Sequence, residues 1–188
     1  MNLILASSSP RRQELLQQVH IPFTIRKPDV DESQITATDP AEKVEELARL
    51  KGTHIPIQNK DEVILSADTV VSFQQSIFEK PTAKQAAYKM IEAMSGNKHE
   101  VYTGVMLRSS DKEMVFVEST TVEFWPLTEE EIISYIETDE PYDKAGGYGI
   151  QSVGAMFVKE IIGDYYNVVG LPISRVVREL AHFQIFPR

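Results

Sequence analysis

Leu3-Ile4-Leu5-Ala6-Ser7-Ser8-Ser9-Pro10-Arg11-Arg12-Gln13-Glu14-Leu15-Leu16 is the stretch from which the rest of the chain is read. Leu3 to Ala6 is a short buried strand by composition, a run of serines follows, and Pro10 fits the first position of a helix with Ser9 as its cap. Arg11 and Arg12 then fall in the first helical turn, where the positive end of the macrodipole disfavours a cation by roughly 0.3 to 1 kcal/mol. Two explanations stand side by side. The guanidinium groups point into water around an ordinary strand-to-helix turn, or serine hydroxyls, free N–H groups and both arginines converge on a phosphate. No GxxxxGK[ST] loop is present, so a phosphate site here is not of the P-loop kind.

Outward from that turn, strands and helices alternate as in an α/β fold. Pro22 to Arg26 reads as a short strand and Pro28 to Thr38 as a polar loop. Asp39-Pro40-Ala41-Glu42 opens a helix to about Lys51, Val63 to Ala67 forms a buried strand that Asp68-Thr69 ends, and Thr82 to Gln85 is a capping box for a helix closed by Gly96. Glu100 to Leu107 and Met114 to Phe124 pair around the turn Ser109 to Lys112. Thr128 to Glu131 starts a helix to about Glu137, Asp139 to Gly154 is rich in glycine and charge, Met156 to Ile161 returns as a strand, and a helix spans Pro172 to His182 with Ile173, Val176, Val177 and Leu180 on one stripe.

Composition limits what such a fold can do. With 188 residues, 42% hydrophobic and 25% charged, the chain buries a sizeable core in one domain, with room for two lobes. No long apolar run and no basic-then-apolar leader are present, which points to a cytoplasmic protein without a membrane partner. The absence of cysteine excludes disulfides, thiolate metal sites and a cysteine nucleophile. A formal charge of −9 argues against a polynucleotide partner but not against a small anion held by a few local cations.

The chemically suggestive side chains sit at element ends. Asp68 is expected to emerge at the carboxyl end of a core strand, where open α/β sheets place ligands; a carboxylate there holds a divalent ion, activates water, or simply caps a turn. Glu32 belongs to an acidic loop. Lys51 suits a helix C-terminus, and Lys80, before Pro81, is aimed by an extended backbone. The glycines of Asp143 to Gln151 permit either close approach to a ligand or a flexible loop. His20, His54, His99 and His182 have no metal-ligand spacing and read as surface or satisfied core residues, while Trp125 and Tyr165-Tyr166 read as packing residues.

Taken in order, LILASSSPRRQELL, Glu32 in VDES, the helix ending in Lys51, SADTVV, EKP, LTEEEI, EPYDKAGGYGIQ and GDYYNVVGLPIS resemble the Maf family of nucleoside triphosphate pyrophosphatases, from Leu3 to Phe183. That resemblance implies one Maf-type domain over residues 1–188. It implies a mixed α/β fold, with a twisted sheet in two lobes around a central cleft, of the inosine triphosphatase-like (Maf/Ham1) type. It also implies hydrolysis of a nucleoside triphosphate between its α and β phosphates with Mg²⁺ or Mn²⁺, and a homodimer. A role in nucleotide pools and in arrest of cell division comes with the family.

The resemblance makes Asp68 the catalytic residue that accepts a proton from water. It associates Arg11, Thr69 and Gln151 with substrate choice, and Ser7, Arg12, Glu32, Lys51 and Lys80 with phosphate or metal contacts, Asp68 and Glu32 being the metal candidates. The branch similar to 7-methyl-GTP pyrophosphatases carries a tryptophan near the first arginine, Ser-Asp-Gln at the central strand and Cys-Ala-Gly-Ser-Phe. This chain has Pro10-Arg11-Arg12, Ala67-Asp68-Thr69 and Lys144 to Tyr148 there, and so resembles the dTTP/UTP branch, with the Gln151 amide facing the pyrimidine edge. It departs from its relatives at Gly147, often alanine, and at Ser152, often glycine. A purine or modified-base pyrophosphatase and a noncatalytic regulator of septation are the alternatives.

Overall fold

The computed structural model describes residues 1–188. Its strands are β1 (Asn2–Leu5), β2 (Phe23–Ile25), β3 (Glu62–Phe73), β4 (Ser76–Phe78), β5 (Lys98–Arg108), β6 (Glu113–Phe124) and β7 (Val158–Ile162), ordered β2-β1-β3-β5-β6-β7 with β4 beside β3. β1 runs parallel to both neighbours, Leu3 facing Phe23 on one side and Val63 on the other. β7 is antiparallel to β6, so the sheet is mixed. The helices are α1 (Pro10–Gln18), α2 (Pro40–His54), α3 (Lys84–Met94), α4 (Glu129–Ile136), α5 (Tyr165–Val169) and α6 (Ile173–Ala181). Contacts divide the chain into one unit of Met1–Asp68, Thr103–Glu118 and Gly170–Arg188, and a second of Thr69–Tyr102 and Ser119–Val169.

In the first unit the opening strand and helix form as read, yet Ser9 caps α1 without a side-chain bond; its own N–H donates instead to Ser7 Oγ at 3.2 Å. Asp39 does cap α2, accepting from the Glu42 N–H at 2.9 Å, and the helix runs one turn past Lys51 to His54. Asp68-Thr69 does not end β3. Thr69, Val70 and Val71 are β-branched and carry the strand on to Phe73. Gln74 and Gln75, at φ 49° and 65°, then turn the chain into β4. What ends near Asp68 is the parallel neighbour, whose last ladder pair is Leu5 with Leu65.

α2 lies almost against β5. A Cβ at Gly104 would stand 2.2 Å from the Val44 carbonyl oxygen, and Ser66 Oγ donates to the Ala48 carbonyl at 2.6 Å. Gly104→Ala is therefore expected to displace α2 and cost on the order of 3 kcal/mol. Thermal unfolding should show a fall of roughly 6 to 12 °C in Tm.

Under β1, Arg26 donates to both oxygens of Glu62, at 2.9 and 2.5 Å, and the Gln58 N–H adds a third bond at 2.8 Å. Arg26 and these further donors outweigh burial and pull the Glu62 pKa down to about 2.

In the second unit α4 starts at Thr128 as expected, and Thr128 and Glu131 form a capping box there, each side chain bonding the other's backbone N–H. The box expected at Thr82 does not form. Ala83, in extended conformation, takes the cap position of α3, one residue beyond Thr82, and no side chain bonds the helix end. Packing here is aromatic: His99, Phe124 and Tyr148 meet edge-to-face at 4.7 to 5.4 Å, and Tyr135 meets Phe157 at 4.8 Å. Trp125, read as a packing residue, is instead half exposed, with the Lys159 ammonium 5.5 Å above its ring. The short α5 was not anticipated; no apolar stripe marks its single turn.

Candidate active site

The turn after β1 is organised from within. Ser7 is buried, and its Oγ accepts from the Ser9 N–H and from Arg12 Nη1 at 3.3 Å. Arg12 Nε donates to the Gly170 carbonyl at 2.8 Å. Of the two explanations left open for the arginines, free solvation is thereby removed for Arg12. Burial lowers the pKa of Arg12 from its usual value, Asp68 and Glu32 oppose that shift, and Arg11 adds to it. Even so lowered, a guanidinium remains charged.

Lys51 closes the group. Its ammonium lies 2.5 Å from Asp68 Oδ1 and 3.0 Å from Glu32 Oε1. The Lys51 and Asp68 side chains are 12% and 13% exposed, whereas Glu32 is 53% exposed on the short helical turn Glu32–Gln34. Asp68 therefore does not cap a turn: it stands within a continuous strand and faces a lysine delivered by the last turns of α2. Ser7, Arg12, Glu32, Lys51 and Asp68 come together from four places in the first unit, with Arg11 beside Arg12 in the same helical turn.

No group of three or more His, Asp or Glu side chains converges to hold a metal alone. Asp68 and Glu32 nonetheless approach one ammonium from two sides, so a cation already sits between them. Oxygen-only donors, at most two carboxylates, suit a hard ion such as Mg²⁺, which completes its shell from water and substrate phosphates.

Thr69, Lys80 and Gln151 belong to the second unit. Thr69 follows Asp68 on β3, so the alternation of a strand sends its side chain to the other face. Lys80 is exposed just after β4, and the carbonyl of its neighbour Glu79 accepts from the Gly146 N–H at 3.2 Å. Gly146, at φ 70°, would place a Cβ 2.8 Å from a Val71 methyl, so its glycine serves a close approach within the protein. Gln151 is exposed while the backbone around it is tied down.

Sequence reasoning gave no role to the Gly170 carbonyl, to Tyr135 or to Glu140. Nothing local marks the first, since it lies 158 residues from Arg12. Glu140 opens the motif EPYDKAGGYGIQ, and its acidity beside a glycine-rich loop was the available signal.

The architecture is that of the Ham1 fold: a HAM1 protein from Coxiella burnetii matches with TM-score 0.56 at 15% identity, over 97% of this chain and 99% of that one. The Ham1 protein of Staphylococcus aureus gives 0.54 at 15% identity over 95% and 100%. Within that class the chain belongs to the Maf family, the Maf-like protein profile matching residues 2–183. A dTTP/UTP pyrophosphatase of Halalkalibacterium halodurans is 52% identical over 178 residues, covering 95% of this chain and 94% of its own length. A Bacillus anthracis dTTP/UTP pyrophosphatase is 49% identical over 183 residues, with 97% and 96% covered.

Proposed function

We propose that this protein is a nucleoside triphosphate pyrophosphatase that converts dTTP and UTP to the monophosphate and pyrophosphate. Full-length similarity to two enzymes of that name supports the substrate class. The observation that carries the chemistry is the group in which Lys51 bridges Asp68 and Glu32 beside the Ser7–Arg12 pair. Splitting the α-β anhydride concentrates negative charge on the departing pyrophosphate, and Arg11, Arg12, Lys51 and Lys80 supply the cations that stabilise it. Asp68 accepts a proton from the attacking water. Asp68 and Glu32 would hold the divalent ion, Mg²⁺ or Mn²⁺, which when bound neutralises phosphate charge. Thr69 and Gln151 select the base, the Gln151 amide matching the N3–H and O4 of uracil or thymine.

The substrate is a free nucleotide and not a polymer, as the net charge of −9 supports, and the working form is a cytoplasmic homodimer without a membrane partner. No helix is long and apolar enough to cross a membrane. A panel of dTTP, UTP, CTP, dCTP, ATP, GTP and 7-methyl-GTP with Mg²⁺ or Mn²⁺, read as pyrophosphate release, tests the activity. Turnover of dTTP and UTP at least about tenfold above the purines is expected. Selective turnover of a purine, or tight partner binding without any release, would replace this reading. Light scattering tests the dimer.

A further inference from the structure

The segment that carries Gln151 is gripped on both sides by one carboxylate. Glu140 Oε1 accepts from the Gly154 N–H at 3.1 Å and from Tyr135 Oη at 3.1 Å, and Glu140 Oε2 accepts from the Val153 N–H at 3.1 Å. The same Tyr135 hydroxyl accepts from the Gly149 N–H at 3.1 Å, so Glu140 reaches the near side of Gln151 through Tyr135 and the far side directly. The chain is wrapped tightly around it: a Cβ at Gly149 would lie 2.9 Å from Glu140 Oε1, and one at Gly154 2.7 Å from the Gly149 carbonyl. Lys144 Nζ donates to the Glu140 carbonyl at 2.8 Å, and the Tyr148 hydroxyl meets His99 Nε2 at 2.8 Å, which fixes the start of the segment.

These bonds hold the segment through backbone amides and buried hydroxyls, leaving Gln151, Ser152 and the Val153 side chain exposed between the buried Ile150 and Gly154. We propose that Glu140 is a positioning residue for base selection: with Tyr135 as its relay, it sets the shape of residues 149–154 and so the place where the Gln151 amide is presented. The assignment rests on the pyrimidine reading given above for Gln151. Burial acts to raise the pKa of Glu140, but bonds from Ser152, Gly154, Tyr135 and Val153 prevail and keep it below its usual value, so the clamp is ionised at neutral pH.

Glu140→Gln retains size and one acceptor oxygen but loses the charge and half of the accepting capacity. Tyr135→Phe removes only the relay to Gly149. Two measurements on the purified full chain decide the matter. Hydrogen exchange at the amides of 149, 153 and 154 should quicken by roughly tenfold in Glu140→Gln, while β3 and α2 keep their protection. KM for dTTP and UTP should rise roughly tenfold with kcat within about threefold of wild type, and preference over CTP and dCTP should shrink by a similar factor. Tyr135→Phe should show smaller changes in the same directions, and serves alone if Glu140→Gln does not fold.

A purely structural role would lower stability or active fraction equally for all substrates, so unchanged KM and unchanged preference in a folded variant overturn the proposal. Unchanged exchange at those amides overturns it as well, whatever the substrate. Wild-type protein inactive on dTTP and UTP would instead remove the pyrimidine reading, leaving exchange to decide the clamp.

Discussion

Asp68→Asn is expected to lower kcat for pyrophosphate release by about 10³-fold, the scale on which a positioned proton acceptor contributes. The amide keeps the shape of the side chain and its place inside β3, so the strand and the packing of Val70 and Val71 are undisturbed. Lost are the basic oxygen and the charge facing Lys51 at 2.5 Å. Glu32 still faces the ammonium at 3.0 Å, so Lys51 is not left without a counter-charge, and Tm should stay within a few degrees of wild type. Coupled phosphatase release of phosphate from pyrophosphate, with circular dichroism on the same sample, separates rate from fold. Turnover near the wild-type value in a folded variant would remove Asp68 from the mechanism.

Glu62→Ala is expected to cost stability on the order of 3 kcal/mol, as much as Gly104→Ala, because it leaves the mostly buried Arg26 without its bidentate partner. For a chain of this size that is a fall of roughly 6 to 12 °C in Tm. The pair also sets a pH dependence. Glu62 is pulled from 4.5 to about 2 on folding, chiefly by Arg26, so the folded state binds the proton less readily than the unfolded one. Its contribution, about 3 kcal/mol, is fully present above the unfolded value and drains away as pH falls from about 5 towards 2. Urea unfolding at pH 7 and pH 3 should show the gap between wild type and Glu62→Ala reduced by roughly half at the lower pH. A constant difference between them would contradict the assignment.

How much was legible in the chain follows from how local each signal is. Cap chemistry within four residues identified the starts of α2 and α4, where Asp39 and Thr128 reach their own helix ends. The same rule failed at Thr82, because Ala83 was free to adopt the extended cap conformation one residue later. An aspartate within a strand pattern read as a stop at Asp68. The β-branched Thr69, Val70 and Val71 beyond it, and the pairing of β3 with β4, explain why the strand continues. The candidate residues of the first unit were found through motif resemblance, whereas the bonds joining them are long-range: Lys51 to Asp68 across 17 positions and Arg12 to Gly170 across 158. Periodicity carries no information about such pairs. Glu140 carries no local mark of its role, since its partners are backbone N–H groups, which every residue but proline possesses.

The bond from Arg12 to the Gly170 carbonyl also has a meaning in time. Synthesis completes both segments of the second unit, Thr69–Tyr102 and Ser119–Val169, before the residues from Gly170 onward exist, although the first unit began with Met1. The nascent polypeptide therefore carries Arg12 without its Gly170 acceptor until translation is almost finished, and α6, with the buried Ile173, Val176 and Leu180, arrives last to cover that half. Contacts of such sequence separation slow folding. An abortive product released shortly before Gly170 would contain the whole charged cluster yet lack the carbonyl that accepts from Arg12 Nε.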